Sequence, residues 1–179
     1  MILDLARKLA DCDANFFGGW IIAGVEVHIK APAAQLINKL LLHKSSKAVF
    51  EVKGTTAFGT ETQKMRVFLV LPQGEVNVQS GEGDFPGRLI LEHVFSLEEI
   101  NAYLAYTGDQ NVIHQGSHPL VPGLCVLSYL QEAMGMQQLD WRAAFKSPVY
   151  VGEKLTVYAK EGKFTAFVNE RLAFVVENR

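Results

Sequence analysis

Residues Leu120 to Met136 read LVPGLCVLSYLQEAMGM. After Pro122, apolar residues occupy nearly every face of the first helical turns, a pattern typical of a buried helix. We therefore predict a central helix from Leu120 to Met136. A buried helix crossed by a curled antiparallel sheet is an α+β arrangement. The strands are predicted from four β-like runs and a turn at Asn169-Glu170; the runs are Trp141–Tyr150, Leu155–Lys160, Phe164–Val168 and Leu172–Val176.

The composition describes an ordinary folded domain. The chain has 179 residues, 49% of them hydrophobic, and a formal net charge of -2, which excludes a mainly disordered chain. No strongly basic segment predicts a nucleic acid partner, and no apolar run is long enough to predict a membrane partner. Cys12 and Cys125 are far apart with no metal-ligand spacing, so neither a disulfide framework nor a metal site is expected. Without a signal-peptide pattern, these features favour a cytoplasmic protein.

The N-terminal part of the chain also predicts a helix with strands around it. Residues 1–10 suit a short helix, and a connector runs to Gly19. A strand is predicted over Trp20–Lys30, followed by a helix over Ala33–Leu42 that begins at Pro32. Further strands are predicted at Ala48–Val52, Met65–Leu71 and Val76–Val78.

After a Gly-, Asp- and Pro-rich loop at Ser80–Gly87, the same order of elements starts again. A strand is predicted over Arg88–Phe95, and Ser96 with Glu99 forms a capping box that opens a helix. The repetition in element order predicts a fused pair of similar halves. We divide the chain into residues 1–19, 20–85 and 86–179.

Acid and base groups are concentrated in the loop between the two C-terminal helices. Asp109 and His114 are five residues apart there, so a carboxylate and an imidazole can turn toward one small volume and move protons. Histidine suits this role because its ordinary pKa is about 6.5. The alternative is purely structural: Gly108 ends a helix, Asn111 makes a turn, and His114 is an ordinary loop residue.

Two segments carry a family resemblance. YLAYTGDQNVIH, from Tyr103 to His114, resembles the signature of MaoC-like (R)-specific enoyl-CoA hydratases, in which Ser/Thr-Gly-Asp-x-Asn-Pro-aliphatic-His follows a helix. Val112 replaces the usual proline. FKSPVYVGEKL, from Phe145 to Leu155, resembles the family's F-x-x-P-V-x-x-G-[DE]-x-L strand pair. The two matches occur in the family's order.

This resemblance implies the hot-dog fold, an antiparallel sheet wrapped around a central helix. It also implies the addition of water to a trans-2-enoyl thioester, with coenzyme A or a carrier protein as part of the substrate and with no cofactor. Asp109 is then the principal base and His114 its partner, while Asn111 braces the loop and belongs to the substrate-binding residues. Residues 20–85 form a degenerate hot-dog half, and residues 86–179 carry the site. Hot-dog sheets commonly pair edge to edge, so we expect a homodimer, which must cover the sheet edge if residues 20–80 do not complete the sheet internally.

The substrate carbonyl gathers negative charge as water adds, so it needs hydrogen-bond donors. A helix N-terminus supplies free amides, and the Gly123 amide is the candidate. The alternative is that Pro122-Gly123 only starts a tightly packed helix. In the related β-hydroxyacyl-carrier-protein dehydratases, an acidic residue stands where this chain has Ser128, so the hydratase alignment fits better.

Two other functions remain open at this point. Thioesterases share the fold that the resemblance implies, and they direct water at the carbonyl carbon. A non-catalytic protein that binds an acyl ligand is the second possibility, because Val112 and a shortened segment at 115–121 depart from the family pattern.

Overall fold

The computed structural model describes residues 1–12, 17–72 and 87–179. In these residues, nine strands form a single antiparallel sheet in the order β2-β3-β4-β1-β6-β9-β8-β7-β5. The strands are β1 (Ile21–Ile29), β2 (Gln35–Lys44), β3 (Lys47–Thr55), β4 (Glu61–Val70), β5 (Arg88–Val94), β6 (Leu139–Phe145), β7 (Lys154–Lys160), β8 (Lys163–Val168) and β9 (Arg171–Asn178).

Three α-helices accompany the sheet within the described residues: α1 (Ile2–Ala10), α2 (Leu97–Thr107) and α3 (Gly123–Ala133). The side chains of α3 form the centre of the core, where Leu124, Val126, Leu127 and Leu130 are buried. The predicted buried helix wrapped by an antiparallel sheet is therefore confirmed, and the α+β arrangement is the hot-dog fold. The helix is shorter than Leu120–Met136 because Leu120 pairs with Tyr150 and the Val121 amide donates to the Val149 carbonyl.

The capping box that opens α2 is confirmed. The Ser96 hydroxyl accepts from the Glu99 amide at 3.2 Å, and the Glu99 carboxylate accepts from the Ser96 amide at 2.7 Å. The Asn169-Glu170 hairpin turn is confirmed as well, since both residues have positive φ angles of 47° and 66°. The strand predicted over Trp141–Tyr150 ends earlier, at Phe145.

The helix predicted over Ala33–Leu42 is wrong. Residues Gln35–Lys44 form β2, which pairs with β3 through a tight turn at Ser45-Ser46. A short leucine-rich run fits a helix or a strand equally well, and here the pairing with β3 decides. The predicted repetition of element order is lost with that helix. Helix α1 packs on β2 and β3 instead, and it also contacts α2 and α3.

The two halves of the chain share the sheet. Strand β1 pairs with β4 on one side and with β6 on the other, so the β1–β6 pairing joins N-terminal to C-terminal strands. A continuous sheet is what a fused pair requires. The strand predicted at Val76–Val78 and the division between residues 85 and 86 lie outside the described residues, as does most of the loop at Ser80–Gly87.

Candidate active site

The loop between α2 and α3 is shaped by local turns that bring Asp109 to His114. Gly108 ends α2 with a φ of 78°, a left-handed conformation that favours glycine, and its amide donates to the Leu104 carbonyl. Asn111 then caps a short 3-10 helix over Val112–His114. These are the turns of the purely structural alternative, yet His114 is not an ordinary loop residue, because it is buried.

Asp109 and His114 face each other across a short gap. Their Oδ2 and Nε2 atoms are 3.6 Å apart. The second carboxylate oxygen of Asp109 accepts from the Asn111 amide at 2.9 Å, which holds Oδ2 toward the imidazole. The sequence thus predicts correctly that these two side chains come together.

The tautomer of His114 follows from its other nitrogen. Nδ1 lies 2.8 Å from the Leu120 carbonyl oxygen, which can only accept, so Nδ1 carries the proton. Burial lowers the pKa of His114 from its usual 6.5, although the Asp109 charge and the Leu120 carbonyl both act to raise it. At neutral pH the imidazole is therefore uncharged, and Nε2 presents a lone pair to the carboxylate.

Asp109 Oδ2 and His114 Nε2 are both acceptors, so they cannot form a hydrogen bond with each other. A water molecule between them can donate one hydrogen to Asp109 Oδ2 and the other to His114 Nε2, which leaves its oxygen lone pairs free. Such a water is oriented as a nucleophile, with a base already in contact.

The pair lies on the wall of a cavity of about 390 Å³. This volume is within the range of small-molecule sites. The N-terminal half supplies much of the apolar wall, and the second half supplies the polar groups. Apolar lining residues from the N-terminal part include Leu9, Phe17, Trp20, Phe50 and Leu69. The aromatic rings are packed together, with the Phe17 centroid 5.4 Å from Trp20 and 4.8 Å from Phe50.

Asn111 also lines the cavity, but its side chain is used elsewhere. Its Nδ2 donates to the Trp20 carbonyl at 2.8 Å, and its Oδ1 accepts from the Gly19 amide at 2.9 Å. The side chain therefore ties the loop to the chain that enters β1. This is the predicted bracing role; contact with substrate stays a prediction.

Gly123 begins α3 at the same cavity, and its amide has no hydrogen-bond partner among the described residues. A Cβ at this position would lie 3.0 Å from the Phe145 ring. Close packing on β6 is thus a sufficient reason for glycine here, as the structural alternative for Pro122-Gly123 states. The predicted oxyanion role of Gly123 depends on the free amide, not on the residue type, and stays a prediction.

Two further observations bear on the sequence predictions. The Ser128 hydroxyl donates to the Cys125 carbonyl of its own helix at 2.8 Å and does not line the cavity, so nothing at that position replaces Asp109. Tyr103, which sequence reasoning missed, lies on the cavity wall. Its spacing from Ile100 and Leu104 is that of a packing residue, so the helical spacing alone did not indicate a place in the site.

Within residues 1–12, 17–72 and 87–179, no group of three or more His, Cys, Asp or Glu side chains is arranged to hold a metal ion. No helix in that part of the chain is long and apolar enough to cross a membrane.

The fold places the chain among known hot-dog structures. HtdX from Mycobacterium tuberculosis superposes with a TM-score of 0.70 at 14% identity, over 99% of this chain and 86% of that one. A MaoC-like dehydratase from Phytophthora capsici gives a TM-score of 0.60 at 18% identity, over 89% and 69% of the two chains. An acyl-ACP thioesterase from Bacteroides thetaiotaomicron gives 0.61 at 9% identity, over 99% and 88%.

At these identities the likeness establishes the fold. No family model matches the sequence. No curated protein matches it either.

Proposed function

We propose that this protein is a hydratase or dehydratase of acyl thioesters. It adds water to a trans-2-enoyl thioester of coenzyme A or a carrier protein, giving the (R)-3-hydroxyacyl thioester, or it catalyses the reverse reaction. The observation that carries the proposal is the Asp109–His114 pair, whose two acceptor atoms face one position beside a largely apolar cavity. The resemblance of residues Tyr103–His114 and Phe145–Leu155 to MaoC-like hydratases supports the same reaction, and also its stereochemistry.

In the proposed reaction, the water oxygen forms a bond to the β-carbon as one water proton passes to the Asp109–His114 pair. A proton is then delivered to the α-carbon, so the base is regenerated and no cofactor is needed. The negative charge that develops on the thioester oxygen is stabilised by the free Gly123 amide at the start of α3. The apolar wall from the N-terminal half receives the acyl chain.

The departures from the family pattern leave this arrangement intact. Val112 is exposed at the start of the 3-10 helix, and the Asn111 side chain accepts from the Ile113 amide to cap that turn without proline. The short segment at 115–121 still brings Gly123 to the cavity, and its Leu120 carbonyl fixes the His114 tautomer.

The test is an assay with crotonyl-CoA, following the loss of enoyl absorbance. The proposal is supported if the purified wild-type protein turns over crotonyl-CoA and the Asp109→Asn variant does not. No loss of enoyl absorbance from any short enoyl-CoA, with the protein folded, would refute it. Asp140→Asn is a matched control, because that carboxylate lies outside the cavity, near His28.

Thioester hydrolysis is the second candidate. The structural likeness to a protein described as an acyl-ACP thioesterase supports it, and the same water could attack the carbonyl carbon. A free-thiol assay in the crotonyl-CoA reaction distinguishes the two, since hydrolysis releases coenzyme A and hydration does not. Binding of butyryl-CoA without either reaction would indicate a non-catalytic acyl-binding protein.

We also propose a homodimer. The sheet is continuous through the β1–β6 pair, but β2 is an edge strand among the described residues, and it carries exposed apolar side chains at Ile37, Leu40, Leu41 and Leu42. An exposed apolar edge favours pairing with another strand. Size-exclusion chromatography with light scattering tests this, and a monomer at micromolar concentration would contradict it.

A further inference from the structure

Tyr103 is a buried phenol at the candidate active site with an unused hydroxyl. Only 8% of the residue is exposed, and it lines the cavity that holds Asp109 and His114. Within the described residues, its hydroxyl makes no hydrogen bond. The Thr107 hydroxyl bonds to Tyr103 through the backbone, because Thr107 Oγ1 donates to the Tyr103 carbonyl. A tyrosine hydroxyl that lines a cavity and has no protein partner is available to a ligand.

The surroundings of Tyr103 place it near the groups that handle the thioester. It lies on α2, one turn before Thr107, and Asp109 follows directly after the helix. Asp109 lines the same cavity as Tyr103, and so does Gly123 at the start of α3. Tyr103 therefore shares one cavity with the candidate base and the candidate oxyanion amide.

The protonation state of the phenol restricts what it can do. Burial raises the pKa of Tyr103 well above its ordinary value of 10, and the neighbouring Cys125 and Asp109 groups act in the same direction. The group stays protonated at physiological pH and is not a base. A neutral phenol in this position is a hydrogen-bond donor.

We infer that the Tyr103 hydroxyl donates a hydrogen bond to the thioester carbonyl oxygen of the substrate, as a second donor beside the Gly123 amide. This rests on the proposed acyl-thioester function. Two donors suit an oxygen that gains negative charge as water adds to the β-carbon, and a donor fixed by burial requires little reorganisation. No bond is made or broken at Tyr103.

The test variant is Tyr103→Phe, which removes the hydroxyl and keeps the ring. With crotonyl-CoA, kcat should fall about 10²-fold, as for other single oxyanion donors. Tyr106→Phe is the matched control: it lies on the same helix, is exposed, and its hydroxyl bonds Asp4 at 3.1 Å outside the cavity. That control should keep the wild-type kcat. An unchanged kcat in Tyr103→Phe overturns the inference.

A binding comparison separates a contact with the carbonyl from a structural role. Butyryl-CoA has the thioester carbonyl, whereas S-butyl-CoA, the thioether, lacks it. By calorimetry, Tyr103→Phe should weaken butyryl-CoA binding about 2- to 10-fold, the effect of one neutral hydrogen bond, and leave S-butyl-CoA binding unchanged. Equal weakening of both ligands means that the hydroxyl serves the fold or a water, and the inference fails.

The two readouts also separate this inference from the proposed reaction. If the wild-type protein binds butyryl-CoA but does not hydrate crotonyl-CoA, hydration is refuted while the ligand comparison still decides the role of Tyr103. If the wild-type protein binds neither butyryl-CoA nor S-butyl-CoA, both proposals fail together.

Discussion

Asn111→Ala is expected to weaken the whole protein as well as the candidate site. The side chain makes two good hydrogen bonds to the N-terminal half, to the Trp20 carbonyl at 2.8 Å and from the Gly19 amide at 2.9 Å. A typical bond of this kind contributes about 1 kcal/mol net. Trp20 is buried, so its carbonyl would be left without this partner. We therefore expect the free energy of unfolding to fall by about 2 kcal/mol.

The assay is urea denaturation followed by fluorescence, with thermal unfolding beside it. For a chain of this size, 2 kcal/mol corresponds to a fall of roughly 4–8 °C in Tm. Asn101→Ala is the matched control, because Asn101 is exposed on α2 and makes no side-chain hydrogen bond among the described residues. Its free energy of unfolding should stay within about 0.5 kcal/mol of wild type.

Activity gives the second readout for Asn111. Its backbone amide, which orients the Asp109 carboxylate, remains in the alanine variant, but the loop loses its attachment to the chain before β1. We expect kcat with crotonyl-CoA to fall even under conditions where the variant is fully folded. A variant with wild-type stability and wild-type kcat would refute the bracing role. Wild-type stability with a raised KM alone would instead support contact with substrate.

The other predictions concern the paired acid–base groups, their protonation and the start of α3. Asp109→Asn and His114→Ala should each lower kcat for crotonyl-CoA hydration by about 10²–10⁴-fold. The kcat of the double variant should be scarcely lower, since one water serves both groups. Additive losses would argue against a shared water. Burial holds the pKa of His114 below its usual 6.5, so kcat/KM should be lost only as the pH falls below 6.5. The contribution of the neutral buried ring to the free energy of unfolding should likewise be present above pH 6.5 and decrease below it. An NMR titration should show that pKa falling further in Asp109→Asn, because the Asp109 charge raises it; an upward shift would show that the two groups are not in contact. Gly123→Val should displace the Phe145 ring, because a Cβ at this position would lie 3.0 Å from it, and this overpacking should lower the free energy of unfolding by about 1–3 kcal/mol. Turnover should be abolished while circular dichroism still shows a folded protein. Normal kinetics would remove Gly123 from the site.

How far the sequence predicts the structure depends on whether the signal is local. Helix α3 and the capping box of α2 were predictable, because an apolar run on all sides of a helix and a Ser-x-x-Glu pattern have few other interpretations. Strand β2 was not, because Gln35–Lys44 is compatible with both helix and strand until it pairs with β3. Its misprediction also removed the evidence for a repeated order of elements.

The residues of the candidate site also differ in whether a local sequence signal indicates them. Asp109 and His114 were found from their spacing in one loop together with the resemblance of Tyr103–His114 to the MaoC-like signature. Tyr103 could not be singled out, because its role depends on an unpaired hydroxyl and not on its position in the sequence. The partners of Asn111 are also invisible in sequence, since Gly19 and Trp20 are about 90 positions away.

The pairing of β1 with β6 has a direct consequence for the Asp109 carboxylate. Gly19 and Trp20 lie immediately before β1, and their backbone holds the Asn111 side chain. The Asn111 backbone amide in turn donates to Asp109 Oδ1. A register slip of two residues between β1 and β6 would keep the inward and outward faces of the strands but would move Gly19 by about 6.6 Å, at 3.3 Å per residue. No hydrogen bond of 2.8 or 2.9 Å survives that displacement, so the observed register, in which Val27 is opposite Trp141, is required for the loop geometry. The N-terminal half thus contributes to the candidate site by position as well as by lining its cavity, although the acid–base groups all come from the other half.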